Sequence, residues 1–411
     1  MKSKTIQEFK ETEIGNIPAD WKIKKINDLY EIRSGLSKPR DQFGFGYPFL
    51  SFKGIFENFS LPDKLENLVN SSEKERESGS IKRGDVFLTR TSETWEQLGM
   101  SSVALKDYEN ATFNGFAKRL RPINNEFILP EFAAYLFRSP KIQTQFSTYS
   151  NLTTRASLNG EAIKQVLLTI PTRKEQEKIS KSLSDLTIKI SNLQNQNRIL
   201  EEMAQAIFQS WFVDFDGVTE FEDSELGKIP KGWSVGKIKD VIEIFDEKRI
   251  PLSTMERVKR KGIIPYYGAT TIIDFVDDHI FDGKFLLLGE DGSVVHDDGT
   301  PFIQYVSGKF WVNNHAHVMQ GKNSCSTEFV YLFFKNLNIN PWITGAVQLK
   351  VNQSNLLSIP IIIANPNFLK KFNQTIFPIF SNLLENEKSI SILTKTRDAL
   401  LPKLLSGEIR V

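Results

Sequence analysis

The sequence predicts an α+β chain in which two tandem mixed α/β domains are separated by two long helices, packed as an antiparallel coiled coil with pseudo-two-fold symmetry. Three observations support this prediction: a phrase near the N-terminus recurs in the second half, two segments have heptad spacing, and short β-branched or aromatic runs lie between them. The predicted segments are residues 1–170 for the first domain, 171–214 for the first helix, 215–365 for the second domain and 366–411 for the second helix.

The repeated phrase indicates that a whole domain has been duplicated. Glu13 to Ile32 read EIGNIPADWKIKKINDLYEI and Glu225 to Ile244 read ELGKIPKGWSVGKIKDVIEI, with ten of the twenty positions identical. The shared Trp21 and Trp233 lie 233 − 21 = 212 positions apart, too far for the repeat of a solenoid. Weaker echoes follow in order: FNGFAKRL with VNNHAHVM, PEFAAYLF with TEFVYLFF, RASLN with QLKVN, and LLTIP with LLSIP. The copies differ between these echoes, which predicts a shared frame carrying variable inserts.

The segment after Pro171 is predicted to be a long helix. It contains no Gly or Pro for about forty residues, and Thr172-x-x-Glu175 is a capping box at its start. Its apolar residues alternate three and four apart when Asn197 is counted with them, and a polar residue in such a heptad seam fixes the register at some cost in stability. The apolar seam consists of Leu183, Leu186, Ile190, Leu193, Leu200, Ala204, Ile207 and Trp211.

A second heptad segment follows near the C-terminus. Pro366 suits the first turn of a helix, whereas Pro378 and Pro402 are expected to kink this helix or trim its ends. Two apolar stripes in one chain favour mutual packing, and the alternative is that each helix packs separately on its own domain. The second seam consists of Ile376, Ile379, Leu383, Ile390, Leu393, Leu400 and Leu404, with Asn386 and Arg397 at the polar positions.

The composition excludes several classes of protein. With 52 Lys and Arg against 50 Asp and Glu, the formal charge of +2 is no signature of polyanion binding, so a nucleic-acid role has to depend on local patches such as RVKRKG at 257–262. The single Cys325 can form no disulfide within the chain, and the N-terminus lacks the apolar core of a signal peptide. No apolar run approaches the ~20 residues of a membrane span. We therefore expect a reduced, cytoplasmic protein without membrane contact.

The catalytic motifs in the chain are weak. NPNF, Asn365 to Phe368, is similar to the element that grips a flipped adenine in amino-methyltransferases, but Pro366 is better explained as the start of a helix. DQFGFG, Asp41 to Gly46, is loosely similar to their glycine-rich loop, but the strand before such a loop and the helix after it are not indicated here. There is no Walker loop, and the Pro-Asp pair at 62–63 has no Glu-x-Lys after it as in restriction nucleases. His315 and His317 would share one face of a strand, where a packed or hydrogen-bonded pair is favoured over a metal site. We predict no catalytic residue and no metal site.

Two domains with one frame and different inserts predict a protein that reads a long target at two places. Duplex DNA is the natural target, because the spacing of two half-sites follows the symmetry of the protein that binds them. A helix of about forty residues is roughly 60 Å long, comparable with nearly two turns of duplex at about 34–36 Å each.

Several motifs together resemble the specificity subunit of type I restriction-modification enzymes, over essentially the whole chain. They are the doubled Gly-x-Ile-Pro-x-x-Trp phrase, IPTRKEQEKI at the start of the first long helix, SWFVDFDG before the second repeat and the terminal LLPKLLSGEIRV. The resemblance implies two target-recognition domains that each read one half of a bipartite site in double-stranded DNA, with the helices setting the spacing and docking two modification (methyltransferase) subunits.

The resemblance also assigns the chemistry to other subunits. S-adenosylmethionine, ATP and Mg²⁺ would belong to the modification subunits and to ATP-dependent restriction subunits, so no cofactor is expected in this chain. The alternative from the residues is an autonomous adenine-specific DNA methyltransferase or nuclease with its own recognition domains. A second alternative is a coiled-coil interaction protein without a role on DNA.

Candidate DNA-binding residues lie in the inserts and their flanks, chosen because Arg, Asn and Gln read base edges while Lys holds phosphates. They are Lys38, Arg40, Lys53, Arg90, Thr91 and Arg155 in the first domain, and Arg260, Lys261, Tyr267, Gln348 and Lys350 in the second. The candidates for partner binding are Arg198, Glu201, Phe208, Trp211, Phe212 and Phe215, of which the aromatic residues suggest a buried joint with a modification subunit. The shared Trp21 and Trp233 are assigned to core packing, because a residue common to both domains cannot distinguish two half-sites.

Overall fold

A computed structural model describes residues 8–92, 98–149, 151–152, 156–292, 294–345 and 348–411 of the chain. The chain divides into two compact units, which are called unit 1 (Met1–Ser191 with Ser391–Val411) and unit 2 (Asn192–Ile390). Each unit combines a mixed α/β body with part of both long helices, because helix residues belong to the core of each body. In the described part of the chain, no helix is both long and apolar enough to cross a bilayer.

Unit 1 begins with a series of short strands and helices. In chain order these are β1 Phe9–Lys10, β2 Ile17–Pro18, β3 Lys22–Lys25, α1 Ile26–Leu29, β4 Tyr30–Ser34, β5 Phe43–Leu50, α2 Phe52–Glu57, β6 Leu68–Val69, α3 Glu73–Ser78, β7 Val86–Thr89, β8 Thr91–Ser92, β9 Ser101–Val103, β10 Thr112–Phe113, β11 Ala117–Pro122, α4 Pro130–Leu136, α5 Pro140–Tyr149, β12 Asn151–Leu152, β13 Ala156–Ser157, α6 Gly160–Gln165 and β14 Leu167–Ile170. The first long helix, α7 Arg173–Phe212, follows.

The central sheet of unit 1 is antiparallel, with strand order β4-β11-β7-β9. A second sheet, β10-β5-β6, pairs β10 with β5 in parallel. The alternation of apolar side chains along β7 and β11 buries one core against α4 and another, around Phe87 and Phe113, on the opposite side of the sheet. Trp21 lies in the first core with 1% of its surface exposed, as predicted.

Unit 2 repeats the same frame with a larger sheet. Its elements are β15 Phe221–Ser224, β16 Gly227–Pro230, β17 Ser234–Lys237, α8 Ile238–Val241, β18 Ile242–Ile244, α9 Thr254–Lys259, β19 Lys261–Tyr267, β20 Ile272–Val276, β21 Phe281–Gly289, β22 Ile303–Val312, β23 Ala316–Gly321, α10 Thr327–Lys335, α11 Gln353–Ser358, β24 Pro360–Ile363 and the second long helix, α12 Pro366–Ser406. The six-stranded sheet has the order β18-β23-β21-β22-β19-β20, in which only β19 and β22 pair in parallel. Trp233 is buried in its core, also as predicted.

The two long helices pack on each other, as the antiparallel prediction requires. In unit 1, Ile179 and Leu183 near the start of α7 share a core with Leu404 near the end of α12. In unit 2, Phe208 near the end of α7 contacts Phe372 near the start of α12, with ring centroids 6.2 Å apart. The alternative of two helices that pack separately is therefore wrong. Both begin as predicted: Glu175 N donates to Thr172 Oγ1 (3.4 Å) and Phe368 N to the side chain of Asn365 (3.0 Å).

The seam of the helix pair contains two asparagines in unit 2. Asn386 Nδ2 donates to Asn197 Oδ1 (2.8 Å), and Asn197 Nδ2 donates to the carbonyl of Leu383 (3.3 Å). Asn197, the polar residue predicted in the seam of the first helix, is thus hydrogen-bonded to Asn386 in the second. Helix α12 runs through both Pro378 and Pro402, so neither residue trims the helix, and a kink at these positions stays a prediction. Each proline removes one backbone hydrogen bond, but the buried apolar residues on either side keep the segment packed in its helical form.

One of the sequence matches between the two halves of the chain, LLTIP with LLSIP, is aligned incorrectly. In unit 1, β14 pairs with β3 so that Leu167 lies opposite Lys25, and in unit 2, β24 pairs with β17 so that Pro360 lies opposite Lys237. Leu167 therefore corresponds to Pro360, and LLTIP corresponds to PIIIA rather than to LLSIP. The identical letters of LLSIP belong mostly to helix α11, whose capping residue Asn352 corresponds to Asn159 of α6.

Candidate nucleic-acid interface

The termini of three strands of unit 1 lie side by side at one end of the sheet, where β4 and β7 end and β11 begins. They bring four polar or aromatic residues together. Ser34 is the last residue of β4, Arg90 follows β7, and Phe116 and Lys118 lie at the start of β11. Backbone hydrogen bonds hold this edge: Arg90 N donates to the carbonyl of Phe116 (3.1 Å), and Leu158 N donates to the carbonyl of Arg90 (2.8 Å). These four residues are called the strand-end cluster of unit 1.

The strand-end cluster of unit 1 is positively charged. Lys118 Nζ donates to Ser34 Oγ (2.7 Å), and burial, together with repulsion from Arg90, lowers the pKa of Lys118. The Arg90 guanidinium lies over the Phe116 ring at 5.8 Å from its centroid, and Arg90 Nε is buried with no hydrogen-bond partner among the described residues. Phe116 itself is 57% exposed. Within the described residues, neither Arg90 nor Lys118 forms an ion pair with a carboxylate.

Unit 2 has the same backbone arrangement at the same edge of its sheet. Glu290 N donates to the carbonyl of His315 (2.8 Å), and Val351 N donates to the carbonyl of Glu290 (2.9 Å). The turn before β23 also repeats, because His315 N donates to Asn313 Oδ1 (2.9 Å) as Phe116 N does to the side chain of Asn114 (2.7 Å). By these bonds Glu290 corresponds to Arg90 and His315 to Phe116.

The remaining two members correspond by strand register. Ser34 lies opposite Lys118 in the β4–β11 pair, and the β18–β23 pairing places Asp246, two residues beyond β18, beside His317. The strand-end cluster of unit 2 therefore consists of Asp246, Glu290, His315 and His317. Equivalent positions of one frame carry two cations and an aromatic ring in unit 1, and two carboxylates and two imidazoles in unit 2.

The strand-end cluster of unit 2 is a closed network of ion pairs. His317, 1% exposed, bonds through Nδ1 to Asp246 Oδ2 (2.6 Å) and through Nε2 to the carbonyl of Val351 (2.7 Å). Each ring nitrogen therefore lies within hydrogen-bond distance of an oxygen atom. Glu290 pairs with Arg249 (2.7 Å) and Lys350 (3.2 Å).

The network determines the charge of both carboxylates. Burial alone would raise the pKa of Asp246, but the hydrogen bonds and charges of His317, Val318 N–H and Arg249 outweigh it and lower that pKa. The pKa of Glu290 is lowered in the same way, against burial, by Arg249, His317 and Lys350. Both groups are therefore carboxylates at neutral pH.

Asp246, Glu290 and His317 offer ligand atoms that lie within 4.8 Å of one another, a spacing that a metal ion could use. These ligand atoms are already engaged, however: both nitrogens of His317 lie within hydrogen-bond distance of oxygen atoms, and Arg249 bonds to Glu290 and lies 3.6 Å from Asp246. A cation that replaced Arg249 would have to displace a buried guanidinium. The geometry supports the predicted hydrogen-bonded role of His317.

The structure brings only some of the nominated residues of unit 1 together. Arg90 and Thr91 lie at the strand-end cluster. Lys38 pairs with Glu75 (2.8 Å) in the segment between β4 and β5, where Arg40 is exposed. Lys53 is on α2 and pairs with Glu57 (3.8 Å), and Arg155 lies outside the described residues.

The nominated basic residues of unit 2 are largely neutralised. Arg260 pairs with Asp277 (2.9 Å) and Lys261 with Asp274 (2.6 Å), because the Asp-rich strand β20 and its turn lie beside the RVKRKG segment. Tyr267 is half-buried, and its ring packs at a right angle on Phe310 with centroids 5.8 Å apart. Gln348 is exposed, and Lys350 belongs to the ion-pair network of Glu290. All five stay predictions as DNA contacts.

The aromatic residues nominated for partner binding pack inside unit 2. Phe208 and Phe212 are 3% and 7% exposed, and Phe212 lies 4.8 Å from the ring of Phe372. Trp211 and Phe215 are half-buried against Phe368 and Trp233. The suggested buried joint with another subunit is corrected for Phe208 and Phe212, because the core of this chain already covers them.

Of the two charged candidates for partner binding, one is engaged and one is exposed. Glu201 accepts from the hydroxyl of Tyr331 (2.6 Å) and pairs with Lys335 (3.0 Å), so it joins α7 to α10 within unit 2. Arg198 is exposed and pairs only with Glu202, one turn along α7 (2.7 Å), among the residues described.

The sequence nominations missed Phe116 and Lys118 in unit 1, and Asp246, Glu290, His315 and His317 in unit 2. A signal was present in the echo of FNGFAKRL with VNNHAHVM, which already aligns Phe116 with His315 and Lys118 with His317. Positions that share a frame but differ in chemistry are the ones that can distinguish two targets. Glu290 and Asp246 had no such signal, because they lie where the copies have diverged.

The motifs that resembled a methyltransferase have structural roles. Asn365 caps α12, Pro366 is its first residue, and the ring of Phe368 packs on Trp233 with centroids 5.0 Å apart. The DQFGFG segment enters strand β5 rather than a loop between a strand and a helix. The DQFGFG segment thus lacks the strand–loop–helix setting of a cofactor loop, and Asn365 and Phe368 are engaged in the start of α12.

The chain contains two units that share one frame and carry different residues at equivalent strand ends, and two long helices run through both. These features define the class of a double-headed recognition protein. The family model for the type I restriction modification DNA specificity domain matches the chain twice, at residues 18–202 and 230–396. The chain belongs to this family.

Similar proteins agree with this assignment. The MjaIX specificity subunit of a type I restriction enzyme from Methanocaldococcus jannaschii is 29% identical, over 98% of this chain and 97% of the relative. The HindI specificity subunit from Haemophilus influenzae is 24% identical, over 95% of this chain and all (100%) of the relative. The crystal structure of a type I restriction-modification S subunit from M. genitalium superimposes with a TM-score of 0.57 at 15% identity, covering 93% of this chain and 96% of that one, and so shares its fold.

Proposed function

We propose that this chain is the sequence-reading subunit of a type I restriction-modification complex, and that each α/β body reads one half of a bipartite site in double-stranded DNA. One observation carries the proposal: equivalent positions at the strand-end edges differ in chemistry, Arg90 and Lys118 in unit 1 against Glu290 and His317 in unit 2. A symmetric binding protein would keep these positions alike. Two readers of different half-sites require them to differ.

The long helices are assigned the role of a spacer and of a docking surface for two modification subunits. Their exposed faces combine charged residues, as in the Arg198–Glu202 pair, with exposed apolar side chains such as Ile199 and Phe377, and offer both to a partner. Within this proposal the chain itself is non-catalytic. S-adenosylmethionine, ATP and Mg²⁺ are bound by the modification and restriction subunits.

A site-selection experiment tests the proposal. The chain is reconstituted with the modification subunits of its own complex, and duplexes bound from a random pool are sequenced. We expect two conserved blocks separated by a gap of fixed length. A single block, or no enrichment at all, contradicts the proposal, and the second of these results favours a coiled-coil interaction protein without a role on DNA.

A methylation assay separates the proposal from the enzyme alternative. The purified chain is incubated with DNA and labelled S-adenosylmethionine, alone and with the modification subunits. We expect transfer of the methyl group to adenine only in the reconstituted complex. Transfer by the chain alone shows instead an autonomous methyltransferase, and cleavage of DNA by the chain alone shows a nuclease.

A further inference from the structure

The strand-end cluster of unit 1 contains only hydrogen-bond donors among its charged groups. The guanidinium of Arg90 and the ammonium of Lys118 are close enough for repulsion to contribute to the lowered pKa of Lys118. The nearby polar group within the cluster is the hydroxyl of Ser34, which accepts from Lys118. Two like charges that share a partly buried edge, with no carboxylate paired to either among the described residues, are unfavourable in the free protein, and an anionic or acceptor-rich ligand would relieve this repulsion.

The geometry of Arg90 suits a base edge better than a phosphate alone. The backbone of Arg90 is held by hydrogen bonds on both sides of the residue, and its guanidinium lies over the ring of Phe116 with Nε buried. A planar guanidinium matches two acceptors at a fixed spacing, as in the O6 and N7 atoms of guanine. The exposed ring of Phe116 adds an apolar surface beside it, which can contact a thymine methyl group or the face of a base.

The corresponding residue in unit 2 cannot act in this way. Glu290 occupies the position of Arg90, and its carboxylate is taken up by Arg249 and Lys350. His315, at the position of Phe116, is 48% exposed in its side chain and bonds to Asp291 (2.5 Å). The edge of unit 2 is therefore charge-balanced where that of unit 1 is positive.

We propose that Arg90 reads a guanine in the major groove of the half-site bound by unit 1, with Lys118 and Phe116 contacting the groups next to it, and that unit 2 makes no equivalent guanine contact. This inference rests on the proposed function, because it assigns one base and three residues to a site that the proposal leaves unassigned. All the residues of this cluster belong to unit 1, and each unit is proposed to read one half-site. The prediction therefore concerns only one block of the target.

The test compares Arg90→Gln with the unchanged chain, each reconstituted with the modification subunits. Bound duplexes are selected from a random pool, and dissociation constants are measured for the consensus and for duplexes with one base pair changed. We expect Arg90→Gln to lose about ten- to hundredfold of its preference for guanine at one position of one block. The second block and the length of the gap should be unchanged.

Arg33→Gln is the matched control. Arg33 is the neighbour of Ser34 on β4 and carries the same charge as Arg90, but successive side chains on a strand point to opposite faces. This substitution should leave both blocks as they are. Lys118→Gln and Phe116→Ala provide second variants at the cluster, and each should weaken the same block as Arg90→Gln. Thermal unfolding of all four proteins shows whether a loss of binding is only a loss of fold.

The other outcomes separate this inference from the proposed function. Weaker binding of Arg90→Gln to every duplex alike, with a smaller dependence on salt, identifies a phosphate contact and overturns base reading by Arg90. Unchanged blocks in well-folded Arg90→Gln overturn the inference while the proposed function stands. If the unchanged chain selects no two-block target, the proposed function has failed and the inference fails with it.

Discussion

Single residues of the shared frame have different tasks in the two units. Trp21 donates from Nε1 to Glu175 Oε2 (3.2 Å), whereas Trp233 packs on the ring of Phe368. Glu175 and Phe368 each lie three residues after the capping residue of their long helix. The sequence predicted both tryptophans as core residues, but not their partners. Matching LLTIP with LLSIP shifted the alignment just before these helices, so the position opposite each tryptophan could not be identified.

Substitution of Glu175 should destabilise unit 1. Glu175→Ala leaves the buried N–H of Trp21 and the guanidinium of Arg410 without their shared acceptor, which should lower the free energy of unfolding by about 1–3 kcal/mol. Glu177→Ala is the control, because that side chain is 60% exposed and pairs only with Arg173 among the residues described. Urea unfolding followed by tryptophan fluorescence measures both, and equal effects would contradict a specific role for Glu175.

His317 should be far more sensitive to substitution than His315. His317→Ala removes both ring nitrogens from a buried site and leaves the carboxylate of Asp246 and the carbonyl of Val351 without this partner, at a cost of about 3–5 kcal/mol in the free energy of unfolding. His315→Ala breaks an exposed pair with Asp291 and should cost about 0–1 kcal/mol. Thermal melts of the two variants provide the comparison, and a mild effect of His317→Ala would exclude a structural role for the network.

The same network makes unit 2 sensitive to acid. The pKa values of Asp246 and Glu290 are depressed in the folded chain, so their contribution to stability is fully present above the ordinary values of 3.8 and 4.5. It is lost as the pH falls below these values through the folded-state pKa values. We expect the free energy of unfolding to fall between pH 5 and about pH 2, and Asp246→Asn should make this dependence less steep. An identical pH profile for the variant would contradict the assignment.

At the scale of elements, the paired asparagines set the register of the long helices in unit 2. Asn197→Leu alone leaves the side chain of Asn386 without its acceptor and should lower the free energy of unfolding by about 1–3 kcal/mol. The double variant Asn197→Leu with Asn386→Leu removes both polar groups and should recover most of that loss. A double-mutant cycle in urea measures the coupling, and additive effects would show that the bond contributes nothing specific.

The long helices were the most predictable elements, because a capping residue, a heptad pattern and the absence of breakers all agree over about forty residues. The exceptions were Pro378 and Pro402, where packing outweighs local preference. The sheets were predictable only as β-rich runs. Their strand order depends on pairings between distant residues, such as β19 with β22, for which a single sequence carries no signal.

Charge was the least predictable property of the candidate site. RVKRKG reads as a basic patch, but the fold brings Asp274 and Asp277 against Lys261 and Arg260. Arg90 and Lys118, twenty-eight positions apart by 118 − 90 = 28, give no basic run in the sequence and yet form a positive edge. The pairing of strands, rather than proximity in the sequence, decides which charged side chains lie next to an opposite charge.

At the scale of the whole molecule, the proposed spacer can be tested by lengthening it. Seven residues that preserve the heptad pattern are inserted between Ser191 and Asn192 of α7, and seven more between Ile390 and Ser391 of α12, where the two units meet in the chain. A heptad adds about 10 Å of helix and returns the seam to the same face. Because the strand-end clusters are untouched, site selection should return both blocks unchanged with a longer gap between them. Insertion of two residues in each helix, which turns the seam by about 200° and so away from its partner, is the control and should unfold the helix pair or abolish two-block binding. If the heptad insertion alters the blocks and not the gap, the helices contribute to base reading, and the division between a shared frame and a local reading edge is wrong.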